Sequence, residues 1–348
     1  MRESLLVFSL ARLTFLTCAE KLFLEEKYAT AEEFSRLSIT DISFLVGRDF
    51  SFRTEYNPEN NLREAQKELL VCNRMNIGFI HIKDKAYPSL LKEISNPPYL
   101  LFYRGRIENL FYPGISVVGT RRLTPYGRNA TSSFSKKAAL DGKVIVSGFA
   151  FGADASAHKG ALEAYFQEPK LGFAPTVCVL PCSIDEITPR TNLKLAEKVL
   201  ENGGLFISEY APMVPTANWH FVHRNRLIAG LTPVTVVTQA PPGSGALITA
   251  DYALQMGRDL VFHKACFGEQ AEKVNKLVKH ELDIRLAHKQ VSRSKIEHTV
   301  ESFVEAGAPV IEDYMDFCNF MKEAPGQRSF SSNRGIIQLS LFEDNIEV

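Results

Sequence analysis

From about residue 77 the chain changes period, and that change limits the fold more than any other feature. Short β-rich runs occur at Phe79–Ile82, Ile115–Val118, Val144–Ser147, Val177–Leu180, Leu205–Ser208, Val234–Thr238 and Leu260–Phe262. Helical patterns lie between most of them, at Tyr126–Leu140, Ala155–Tyr165, Leu193–Leu200, Trp219–Ala229 and Ala246–Met256. The runs are apolar almost throughout rather than alternating, so both faces of each strand need cover. Strands that alternate with helices in this way predict a parallel α/β sheet with helices on both faces. Gly142, Gly203 and Gly257 follow helical stretches, where a glycine ends a helix at low steric cost.

The flanks read differently. Residues 1–76 are helical in pattern, with Leu5, Leu6, Phe8, Leu10, Leu13 and Leu16 on one helix. Thr30 is placed to cap a second helix, with Glu33 completing a capping box, and Thr40 to cap a third. Asn57–Asn61 reads as a polar break before a helix over Leu62–Asn76. Residues 267–295, rich in Lys, His, Arg and Glu, read as a charged insertion. Helix and strand character returns over Val300–Met321, and residues 326–348 read as a flexible tail carrying the apolar Gln338-Leu339-Ser340-Leu341-Phe342. Glu3 and Arg12 interrupt the pattern of a signal peptide, and no apolar run reaches membrane-spanning length. The expected setting is the cytoplasm, without a membrane partner. The six cysteines are scattered with no C-x-x-C pair, so they predict reduced thiols rather than disulfides or a zinc site.

Ligands of an open parallel sheet bind beyond the carboxyl ends of its strands. Lys+Arg and Asp+Glu both count 40, so any anion site must be a local cluster. The first turn holds Gly119, Thr120, Arg121 and Arg122; the second holds Gly148, Phe149, Phe151, Gly152 and Asp154. The third leads to Arg190, Asn192 and Lys194, the fourth to Trp219, Phe221, Arg224, Asn225 and Arg226, and the fifth to Gly243, Ser244 and Gly245. Glycine turns at helix starts expose N–H groups to an anion. Arginine grips phosphate in bidentate fashion, and bases of a single strand stack on aromatic rings. Taken singly, an arginine at such a place more often serves a structural ion pair than a ligand, and Phe149 and Phe221 also suit the core. The group, all beyond strand ends, suits a polyanion.

Signatures of chemistry are missing. There is no P-loop, since GSGALIT has no lysine, and no G-x-S-x-G elbow. His158, His220 and His223 read as polar packing, with no metal and no cofactor expected. The expectation is a binding protein and not an enzyme.

The assembled turns resemble the DNA-processing protein A (DprA/Smf) family. The resemblance begins near Ala86-Tyr87-Pro88 and runs to about Phe262. It is carried by Gly119-Thr120-Arg121-Arg122 with Thr124-Pro125-Tyr126-Gly127, by Ser147-Gly148 with Gly152 and Asp154, by Arg224-Asn225-Arg226 with Ile228-Ala229-Gly230-Leu231, and by Ser244-Gly245 with Leu247-Ile248-Thr249-Ala250. It implies an extended Rossmann-like fold behind a small helical domain similar to a sterile alpha motif. It implies a homodimer that binds single-stranded DNA and loads the RecA recombinase in transformation or repair. Arg121, Lys194 and the Gly148–Gly152 loop then line the phosphate path, supported by Arg224 and Arg226. Phe151 stands where the family often has arginine, Gln239 where it often has an acid, Ala246 for a frequent serine and Val222 for a frequent proline. The tail resembles the pentapeptide that docks on the bacterial sliding clamp, through Gln338, Leu339, Leu341 and Phe342. The rival reading is a nucleotide phosphoribohydrolase, which GSGALITAD fits poorly because Asp251 comes late.

Overall fold

The computed structural model describes residues 2–51 and 54–322. Its sheet comprises β1 (Gly78–His81), β2 (Leu100–Gly105), β3 (Gly114–Val118), β4 (Val144–Ser147), β5 (Thr176–Val179), β6 (Leu205–Ser208), β7 (Val234–Val237), β8 (Asp259–His263) and β9 (Val310–Ile311). The spatial order is β1-β2-β6-β5-β4-β3-β7-β8-β9. β6 through β9 in that order run parallel, and β1 and β2 join antiparallel at one edge. The fold is α/β, an extended Rossmann-like sheet, as expected.

The chain winds outward from β3 to β6, then returns to lay β7 against the other side of β3. Val117 pairs with Val236 and Ile115 with Ile145. The winding therefore reverses between β3 and β7, and a crevice opens there beyond their carboxyl ends. β2 was not among the expected runs. Its signal was present in Leu100–Tyr103, an apolar aromatic run between Pro97-Pro98 and Gly105.

Alternation along each strand feeds two cores. Ile115 and Val117 of β3 join Phe134, Ala157, Ala161, Val236 and Phe317 on one face. The other face takes Val118, Val146, Phe206 and Phe262, and continues into the N-terminal helices. Phe8 meets Phe79 and Phe102 edge-on at 5.0 and 5.6 Å, so the helical segment packs on the antiparallel edge. Gly160 allows close helix approach, because a Cβ there would lie 2.4 Å from the Ser132 carbonyl.

Local chemistry explains the helix boundaries, including those misread from sequence. Thr30 caps as expected, accepting from Glu33 N–H, but the Glu33 carboxylate reaches Ala29 N–H instead of closing the box. The third cap is Ser38, not Thr40, because Asp41 returns its hydrogen bond. Asn57 and Pro58 start a helix over Pro58–Met75 rather than breaking the chain. The first helix ends at Ala11, leaving Leu13 and Leu16 buried beyond it. The pattern Trp219–Ala229 divides into Asn218–His223 and Asn225–Gly230 about Arg224. All six cysteines are free, as expected, with Cys178 and Cys182 buried.

Candidate nucleic-acid interface

Three strand-end turns are locked together by backbone. Thr120 N–H donates to the Gln239 carbonyl at 2.7 Å, which ties the β3 turn to the β7 turn. The Thr120 carbonyl accepts from Ala153 N–H at 3.1 Å, which ties it to the helix after β4. Gly119 and Gly152 make this approach feasible: a Cβ on Gly119 would stand 2.7 Å from that of Ala153, and one on Gly152 2.3 Å from the Thr120 carbonyl. Gly152 also has φ +77°, a region that disfavours other residues. Gln239 Oε1 accepts from Thr124 N–H at 3.0 Å, just before Pro125 opens its helix. The amide thus holds the arginine turn from below. Gln239 stands where the family often has an acid, and nothing in its sequence surroundings marks this duty.

The lock leaves Arg121 exposed, with its guanidinium 5.5 Å from the centre of the Phe221 ring. Phe151 is 45% exposed on the adjoining turn, and Trp219 is 54% exposed on the helix that carries Phe221. Arg190 and Lys194 are exposed on the turn after β5 and the first turn of Leu193–Glu201. Asn192 is partly buried; its Nδ2 donates to the Phe149 carbonyl at 3.0 Å and joins the third turn to the second.

Several other site candidates are spent inside the protein. Phe149 is fully buried, with φ +63°, and its ring packs 5.0 Å from Phe206; it cannot stack on a base. Arg224 is 4% exposed and donates to the Val179 carbonyl at 2.6 Å. A Cβ on Gly148 would strike its guanidinium, so this glycine makes room for arginine rather than for phosphate. Burial pulls Arg224 down to about 10, opposed by the charge of Asp154. Burial conversely raises Asp154, against the pull of Arg224 and its bond from Ala150 N–H. The two form a buried charge centre beneath the loop. Asn225 Nδ2 donates to the Gly245 carbonyl at 3.2 Å. Arg226 Nη2 reaches both oxygens of Glu209, and Nη1 donates to the Asn96 carbonyl at 3.0 Å. Arg224, Asn225 and Arg226 therefore brace the edge from within and do not face a strand.

Two more candidates are engaged by the segment after β8, Arg122 while staying exposed. Arg122 Nη1 donates to both oxygens of Glu281, at 2.8 and 3.0 Å. Gly243 N–H donates to the His298 carbonyl at 2.8 Å, and a Cβ there would lie 2.8 Å from the Lys295 carbonyl. Ser244 is used as a helix cap, accepting from Ala246 N–H, while Gly245 stays exposed. The tail residues Gln338, Leu339, Leu341 and Phe342 lie outside the described residues. Among the described residues no cluster of metal-ligating side chains occurs, and no helix is long and apolar enough to cross a membrane.

Fold and edge together define a Rossmann-like α/β protein whose exposed cations and rings lie along the carboxyl edge of its parallel strands. The profile of the DNA recombination-mediator protein A family matches residues 78–295, and the chain belongs to that family, also called DprA/Smf. The match extends through the charged segment 267–295. Protein Smf of Borreliella burgdorferi is 37% identical over 227 residues, 65% of this chain and 69% of that protein. DNA processing protein DprA of Bacillus subtilis is 36% identical over 194 residues, 55% of this chain and 62% of that protein. The solved structure of DprA from Streptococcus pneumoniae has a TM-score of 0.64 at 26% identity, over 90% of this chain and 96% of that one. DprA from Helicobacter pylori, whose structure addresses a single-stranded DNA binding mode, has a TM-score of 0.54 at 26% identity, over 70% of this chain and 95% of that one.

Proposed function

We propose that this protein binds single-stranded DNA along the carboxyl edge of its sheet and acts as a recombination mediator without a chemical step of its own. The observation that carries the reading is Arg121, held out over Phe221 by a turn whose backbone is pinned to Gln239 and Ala153. A preorganised guanidinium suits a phosphate, and the neighbouring Phe151 and Trp219 suit unstacked bases. Arg190 and Lys194 extend the cationic path. The Helicobacter pylori relative supports the same ligand class by its described binding mode. In this reading the protein is a cytoplasmic homodimer that delivers the strand to RecA in transformation or repair. Its tail docks on the sliding clamp.

A phosphoribohydrolase reading gains nothing from the geometry, since the Gly243 turn is covered by Lys295 and His298. The direct test is fluorescence anisotropy of a labelled dT oligonucleotide over a range of salt, for the wild type and Arg121→Ala. Counterion release predicts a log–log slope of about −0.7 per phosphate neutralised, so the variant loses affinity and flattens by about one contact. Absence of binding at low salt overturns the reading.

A further inference from the structure

The charged segment after β8 reaches the same edge. Its long helix, Glu269–Ala287, is anchored by Ala271 and Leu282, which are buried. Leu282 packs toward the β7 turn, with its Cδ1 3.3 Å from where a Cβ on Gly243 would stand. The shorter helix Arg293–Glu297 follows, and the chain is pinned again where His298 accepts from Gly243 and its Nε2 sits 3.0 Å from Asp251 Oδ2. Glu281 is the neighbour of the anchoring Leu282, so its carboxylate is delivered to Arg122 by a residue fixed in the core. Both its oxygens take the guanidinium. A carboxylate on arginine is the internal counterpart of a phosphate on arginine, with similar oxygen spacing and the same charge sign.

We infer that Glu281 competes with the DNA strand for Arg122, so that the helix Glu269–Ala287 sets how tightly the edge holds a polyanion. This rests on the proposed single-strand binding. A phosphate that takes Arg122 must first release Glu281, which then recruits a cation from solution. One ion pair is exchanged for another, and Arg122 adds little to affinity or to the salt slope in the wild type. Arg121, one residue away, meets no such competitor among the described residues and carries its full share.

The test is the same anisotropy titration with a labelled dT oligonucleotide, on four further variants. Glu281→Gln keeps the size of the side chain and frees the guanidinium. It is expected to tighten binding about threefold at low salt, the scale of one exposed ion pair, and to steepen the slope by about 0.7. Arg122→Ala alone is expected to change affinity little. In the Glu281→Gln, Arg122→Ala double variant the gain disappears. Asp283→Asn, on the same helix with the same change in charge, controls for the general field and should give a smaller gain. Equal gains in Glu281→Gln and Asp283→Asn, or a gain that survives loss of Arg122, overturn the competition. So does unchanged affinity in Glu281→Gln when the wild type binds well. A wild type that does not bind at low salt overturns the binding reading, and the inference with it.

Discussion

Arg121 and Arg122 are adjacent in sequence, yet one faces outward over Phe221 and the other is held by Glu281. Phe149 and Phe151 divide in the same way, one buried and one exposed, two residues apart in a glycine turn. Chemistry at the single-residue level is thus set by which way a short turn aims its side chains. Trp219 is the chain's one tryptophan and offers a direct reporter. It touches His220 and His223 edge-on, at 4.2 and 5.5 Å, while much of its ring stays open. On the proposed reading a base stacks there, worth about 1–3 kcal/mol. Tryptophan emission should change on titration with dT oligonucleotide. Trp219→Ala should weaken binding roughly tenfold, on the same stacking scale, and Trp219→Phe much less. Unchanged emission together with unchanged Trp219→Ala affinity would place the strand elsewhere.

At the scale of elements, the helix Ala153–Gln167 does two tasks. Its start receives the Thr120 carbonyl, and its inner face inserts His158 between β4 and β5. His158 Nδ1 lies 2.7 Å from Thr176 Oγ1, whose own hydrogen goes to the Ile145 carbonyl. Cys178 Sγ lies 3.6 Å from the same Nδ1, and Nε2 has no hydrogen-bond partner among the described residues. Burial, with the nearby charge of Arg224, drives this imidazole down to about 3. The sign follows from linkage. Below the ordinary histidine value of about 6.5 the unfolded chain takes up a proton that the folded chain refuses until about pH 3, so stability falls across that window. At about 1.4 kcal/mol per pH unit, acidification from pH 7 to 4.5 costs about 3 kcal/mol from this site. Urea unfolding at the two pH values should show a smaller acid loss for His158→Gln than for wild type. Equal losses would mean that His158 is protonated in the fold.

At the scale of the whole molecule, the carboxyl edge, the segment after β8 and the N-terminal helices are all organised about one sheet. On the proposed reading the segment Gln338–Phe342 works as a tether. Deleting Gln338–Phe342 should abolish retention on immobilised sliding clamp while leaving oligonucleotide affinity within about twofold, since sites without shared partners act nearly independently. Retention of the truncated chain on the clamp would remove the tether.

Much of this arrangement was legible beforehand. The β-rich runs and intervening helices followed from period and composition, and their boundaries held within a few residues over β3 to β8. Glycines such as Gly152 and Gly119 stood where only a bare backbone can pass. The arginines were legible as a group at strand ends, because a parallel sheet sends every such turn to one edge. Their individual duties were not legible. Whether a guanidinium meets solvent, a carbonyl as in Arg224, or a carboxylate as in Arg122 and Arg226 depends on partners 45, 159 and 17 residues away. The sequence by itself determined the parallel sheet, the winding helices and the identity of the loops that meet, because these follow from short-range periodicity. Only the tertiary structure decided which cations stay free, since burial and ion pairing are set by residues distant in the chain that packing brings within a few ångströms.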